Sequence, residues 1–288
     1  MASEVETSLS PQHQNALRRA VLLLENPDFA ARLAEYAGQP FHRVLRMMPK
    51  AANDRLNSIV ETAILNCLNV AINSLQPSSR RPPASRASSV LAGISGGLSG
   101  FFGLAALPLE LLVTTTLMLR SIADIARHHG EDLSELEARL ACVAVLGLGA
   151  NRSGNRIDVG YYASRALLTR LVNDASTLLL ERGVAGASAP VVAGFIAEIA
   201  PRFSIVVSER AAAGALPVIG ALGGASVNFL FMNHFQRIAH GHFTVRRLER
   251  RYGADVVRRY YEALAAPRPT APRSPLRLPA ATKTRRIP

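Results

Sequence analysis

The chain has 288 residues, of which 49% are hydrophobic, 6% aromatic and 19% charged, with 20 Gly, 17 Pro, two Cys and no Trp. That length admits a sizeable core, and the composition excludes a disordered polymer and a disulfide scaffold. The net charge of +12 is carried almost wholly by Arg, since Lys50 and Lys283 are the only lysines, and such a bias is genomic as readily as functional.

Residues 1–9 carry Glu4 and Glu6 without a basic or apolar leader, so we expect a flexible N-terminus, no secretory signal and a cytoplasmic location. Ser10-Pro11 reads as an N-cap followed by Pro at the first helical position, opening a helix through Leu24. Asp28 and Gly38 punctuate a second helix in the same way. Leu56, Ile59, Val60, Ala63, Ile64, Cys67, Leu68, Ala71, Ile72 and Leu75 repeat at spacings of three and four, the stripe of one long amphipathic helix. Residues 76–89, rich in Pro, Ser and Arg, read as an internal linker. No alternating pattern of useful length occurs, which predicts an all-α helical bundle.

Two segments depart from amphipathicity. Residues 90–119 contain Glu110 as their sole charge, and residues 211–232 contain none. Each is long enough to span a bilayer, at ~1.5 Å of rise per residue against ~30 Å of hydrocarbon. Energetics argue against a simple span. Nine strongly apolar residues in the second segment give only about −3 to −5 kcal/mol, which Pro217, Asn228 and the glycines largely cancel, and an ionised Glu110 costs ~3 kcal/mol in the first. Arg also flanks both ends of both segments, and Pro108 and Pro217 interrupt them. Two Gly-rich helical hairpins that pack in the core, or dip into one leaflet, fit better. The spacings Gly93–Gly97, Gly96–Gly100 and Gly220–Gly224 let backbones approach closely in either setting. Glu110 must then find a partner, expected to be the hydroxyl of Thr114 or Thr115 or an Arg of another helix.

Chemistry-bearing motifs are sparse. Residues 147–154 lack the Lys-Ser/Thr ending of a phosphate loop and read as a polar turn between helices. His128-His129 point apart on a helix, His129 before Gly130 suits a helix C-terminus, and His234, His240 and His242 lack the i, i+4 spacing of a helical zinc pair. Asp132 to Glu135 resembles a capping box. Cys67 and Cys142 sit in apolar helical patterns and read as buried thiols. No catalytic residue, metal or cofactor is expected. Near the end, Thr244 is expected to cap a short helix that Gly253 ends, with Asp255 opening the next. Arg246, Arg247, Arg250, Arg251, Arg258 and Arg259 form its basic side, a candidate lipid or partner surface. Residues 267–288 hold six basic residues, no acid and six Pro, and are expected to form a disordered basic tail behind a single domain at 10–266.

The order of these features resembles the EcsC protein family. The resemblance rests on the Gly-rich stretch Ala92 to Gly103, the step Leu107-Pro108, the segment Ile122 to Asp132 with Gly130, the run Gly223-Gly224-Ala225-Ser226-Val227-Asn228, and Arg247-Leu248 followed by Tyr252-Gly253. It is best over residues 90–148 and 211–264. This chain has His129 where family members often carry Tyr. The family takes its name from a gene beside an ABC-transporter operon, and some relatives carry a peptidase label. The apolar hairpins and the Arg-rich end, taken with this resemblance, lead us to expect a non-catalytic helical protein at the cytoplasmic membrane face, accessory to a transporter or envelope system, whose partner is an anionic membrane surface or a membrane protein. The contrasting expectation is a soluble hydrolase whose site is assembled from Glu110, His129 and Asn228. Nucleic-acid binding is disfavoured, because no recognisable module accompanies the Arg excess.

Overall fold

The computed structural model describes residues 8–25, 29–37, 40–47, 49–73, 107–149, 161–186, 189–214 and 220–266. Among them lie ten helices and no strand: α1 (Pro11–Glu25), α2 (Phe29–Ala37), α3 (Pro40–Met47), α4 (Lys50–Asn73), α5 (Leu107–His128), α6 (Leu136–Leu148), α7 (Tyr161–Gly186), α8 (Ala189–Gly214), α9 (Gly220–Tyr252) and α10 (Ala254–Ala265). The fold is an all-α bundle. The expected linker at 76–89, the stretch 90–106 of the first Gly-rich segment, most of the 147–154 turn and the basic tail fall outside the described residues.

Local chemistry sets the element ends. Ser10 caps α1 as expected: its Oγ accepts from the His13 N–H at 3.4 Å and its carbonyl from Gln14 at 2.9 Å. On α4, Leu56, Val60, Ala63 and Ile64 of the expected stripe are buried. After α5 the Gly130 N–H donates to the Arg127 carbonyl and the Glu131 N–H to the Ala126 carbonyl, with Gly130 at φ +81°. This is a Schellman closure, which requires the left-handed backbone that glycine adopts without a Cβ clash. It delivers Glu131 to the end of the helix.

Two expected starts move. Asp132 does not cap α6, because its Oδ1 accepts from the N–H and hydroxyl of Ser134 at 2.8 and 2.7 Å, and the helix begins three residues later, at Leu136. Thr244 does not open a helix either. It lies inside α9, which runs unbroken for 33 residues, or about 50 Å, to Gly253 at φ +86°.

α9 is the axis of the bundle and packs against α1, α2, α5, α6, α8 and α10. Phe203 of α8 meets Phe231 and Phe235 of α9 at 6.1 and 5.4 Å between ring centroids, and Phe29 of α2 joins Phe231 at 5.9 Å. The two helices flanking residues 215–219 thus bury apolar faces on each other, in line with a core-packed second hairpin. Cys142 is buried on α6, and desolvation pushes its thiol up to about 12. Among the described residues no helix is long and apolar enough to cross a membrane.

Candidate functional site

Polar side chains collect in three places, all fastened to α9. The first is the α5–α6 turn. Burial by itself would raise the Glu131 carboxyl, but hydrogen bonds and charge from Arg246 and Arg250 outweigh it and hold it below the ordinary carboxylate value. Arg246 reaches Glu131 through Nε at 3.0 Å and Nη2 at 3.1 Å, and Arg250 donates to the same carboxylate and to the His129 carbonyl at 2.7 Å. Arg250, rather than a His129 cation, meets the C-terminus of α5. His129 is buried at 7% exposure, and desolvation, then Arg247, His240, His128 and Arg250, lower its pKa to about 4. Its Nε2 faces Nδ1 of His240 at 3.4 Å, and its ring lies edge-on to His128 at 5.6 Å.

The second cluster joins α7 to α9. Arg165 grips Glu249 with two parallel hydrogen bonds of 2.6 and 2.5 Å, and the Tyr162 hydroxyl donates to Glu249 Oε1 at 3.1 Å. Burial opposes the Arg165 charge, but the Tyr161 and Glu249 oxygens outweigh it and hold its pKa above the usual guanidinium value. The Tyr161 hydroxyl lies 2.8 Å from Nδ1 of His242, whose pKa burial pushes far down. Tyr261 of α10 stacks on Tyr161 and donates to Glu25 of α1 at 2.8 Å. Arg165, His242 and Arg246 also line a recess against α6 with room for about one water molecule.

The third site is the Glu110–Arg210 pair. Arg210 of α8 donates to Glu110 near the start of α5 and lies over the Phe231 ring at 5.1 Å. Burial lowers the Arg210 pKa against the pull of Glu110. Glu110 therefore has the Arg of another helix that its apolar surroundings demand. Asn228 lies one turn before Phe231, and its Oδ1 is buried with no hydrogen-bond partner among the described residues.

Glu110, His129 and Asn228 do not form one site. Glu110 and His129 stand at opposite ends of α5, about 28 Å apart along the axis. The three late histidines also separate: His234 meets the Gly149 carbonyl at 2.7 Å, His240 meets His129, and His242 meets Tyr161. No group of three or more His, Cys, Asp or Glu among the described residues is arranged to hold a metal. The basic side divides as well. Arg246 and Arg250 hold Glu131, Arg258 pairs with Glu262 at 2.7 Å, and Arg251 lies over the Tyr252 ring. Arg247 and Arg259 are exposed.

The EcsC protein family model matches residues 24–248, which takes in all three clusters except Glu249, Arg250 and Tyr261. The chain belongs to the EcsC family. No curated protein and no solved structure matches it. The Arg165–Glu249 and Tyr161–His242 contacts of this EcsC chain escaped the sequence reading. Their signal was present: Tyr161-Tyr162 and Arg165 one turn apart on a helix, and Glu249 as the lone acid among the four arginines between 246 and 251.

Proposed function

We propose that this EcsC protein is a non-catalytic helical module that attaches to the cytoplasmic face of a membrane and serves a transporter or envelope system there. The observation that carries the reading is one line of residues on α9. Phe229, Asn233, Gln236, His240, Arg247 and Arg251 fall within a sector of about 60° at about 100° per residue. Of these, Phe229 (68% exposed), His240, Arg247 and Arg251 are exposed, and Asn233 and Gln236 are half-buried. α5 lies alongside, tied by the Gln236 amide donating to the Ser121 hydroxyl at 2.8 Å, and adds exposed Arg120 and His128. An apolar anchor at one end, polar side chains between and arginines at the other end is the pattern of a helix lying in a bilayer interface. The hydrolase reading finds no support of this kind. Cys142, the described cysteine, is buried beside the first cluster, and desolvation pushes its thiol up to about 12, so it is not poised as a nucleophile.

Co-sedimentation of the full chain with anionic and neutral vesicles at two salt concentrations tests the proposal. Basic residues beside an anionic leaflet contribute roughly 1 kcal/mol each before screening. Replacing Arg247, Arg251 and Arg259 together by Gln should therefore weaken anionic binding by about a hundredfold at low salt. Arg246 and Arg250 are left intact, because they hold Glu131. Equal binding to neutral vesicles, or an unaltered triple variant, would overturn it.

A further inference from the structure

We propose that His128, His240 and Arg247 form a binding site for a phosphate monoester, the headgroup of an anionic lipid. The inference rests on the membrane reading and names the chemistry recognised there. The rings of His128, His129 and His240 form a row with centroids 5.6 and 5.7 Å apart, bridging the end of α5 and the middle of α9. Arg247 follows two turns after His240 on the same face, and its charge acts on His129. His129 is buried beneath, with Nδ1 lacking a hydrogen-bond partner among the described residues. The neighbouring acids are engaged elsewhere: Asp124 by Arg127 at 3.0 Å, Glu131 by Arg246 and Arg250, Glu249 by Arg165, and Asp132 by Ser134. An arginine and a row of imidazoles therefore share one face with no carboxylate among the described residues hydrogen-bonded to them. That field repels a metal cation and favours an anion. A guanidinium with two imidazoles offers several N–H donors to one phosphorus centre, where a fork of donors is strongest. A monoester gains over a diester because its extra charge sits on the oxygens those donors reach. The ammonium of a serine headgroup meets repulsion instead.

The test uses the full chain with two probes. Inorganic phosphate is titrated while imidazole nitrogen resonances are followed by NMR, and vesicles containing phosphatidic acid are compared with charge-matched phosphatidylserine vesicles. The expected result is movement of the His128 and His240 signals with phosphate, and about tenfold tighter binding to phosphatidic acid. Arg247→Gln or His240→Gln should abolish that preference, while Arg258→Gln with Arg259→Gln lowers binding to both lipids equally and keeps it. Circular dichroism of each variant guards against misfolding. Equal binding to the two lipids, with silent imidazoles, overturns the site and leaves the membrane reading standing. Phosphate binding at these histidines without any vesicle binding overturns the membrane reading and the lipid source, and assigns the site to a soluble phosphate. Silence with both probes overturns both.

Discussion

Glu131 shows how one residue fastens an end of the bundle. Its carboxylate is almost fully buried and is held by two arginines one turn apart on α9, so its loss leaves the largely buried Arg246 with only the longer 3.5 Å contact to exposed Glu137. Glu131→Gln should cost about 3–5 kcal/mol of unfolding free energy, measured by urea denaturation, and a cost below about 1 kcal/mol would show the pair to be solvated. The histidines predict the acid response. His129 is lowered from 6.5 to about 4, and His240 and His242 are also lowered, in each case first by desolvation. A group whose folded pKa is depressed binds its proton first in the unfolded chain. Its stabilisation is thus complete above pH 6.5 and is lost as pH falls toward 4. His129 contributes up to about 3 kcal/mol of this loss. Thermal midpoints should fall between pH 7 and pH 4.5, and His129→Gln should flatten the slope. A midpoint independent of pH over that range would contradict the buried neutral imidazoles.

The elements were legible where one helix face carried the signal. Ser10, the α4 stripe and Gly253 needed nothing beyond spacing and capping chemistry. α7 was not, because its buried Tyr161, Leu168, Val172 and Ala175 are interleaved with the polar Arg165 that it shares with α9. The start of α9 was misplaced at Thr244 for a related reason: a plausible cap inside a long helix looks the same as a true one until packing decides. The glycines carry a further test. A Cβ on Gly241 would lie 2.7 Å from Leu24 Cγ and 3.3 Å from the Ala20 carbonyl, so the close crossing of α1 and α9 depends on its absence. Gly194 of α8 has nothing within 4 Å. Gly241→Ala should therefore destabilise by about 1–3 kcal/mol through overpacking, whereas Gly194→Ala should stabilise by about 0.5–1 kcal/mol. Chemical denaturation of both variants checks the pair. A neutral Gly241→Ala would mean that α1 is loosely docked.

At the scale of the whole molecule, the orientation of α9 decides whether its apolar and basic ends act together. Phe229 and Arg251 are 22 residues apart, about 33 Å along the axis, yet only about 40° apart around it. If α9 lies flat on the leaflet, both reach the interface together. If it stands upright on its arginine end, Phe229 is held about 33 Å out in water. Charge at the arginine end alone supports either pose, while the exposed Phe229 ring gains from burial only in the flat one, by about 2 kcal/mol. The flat pose is therefore favoured. Nitroxide labels on Phe229→Cys and on Arg251→Cys, each with Cys67 and Cys142 replaced by Ser, should report similar shallow depths on anionic vesicles against membrane-soluble and aqueous relaxants. A label at 229 that senses only the aqueous relaxant, beside one at 251 in the headgroups, would establish the upright pose. It would also remove the Gly-rich half of α9 from the attachment.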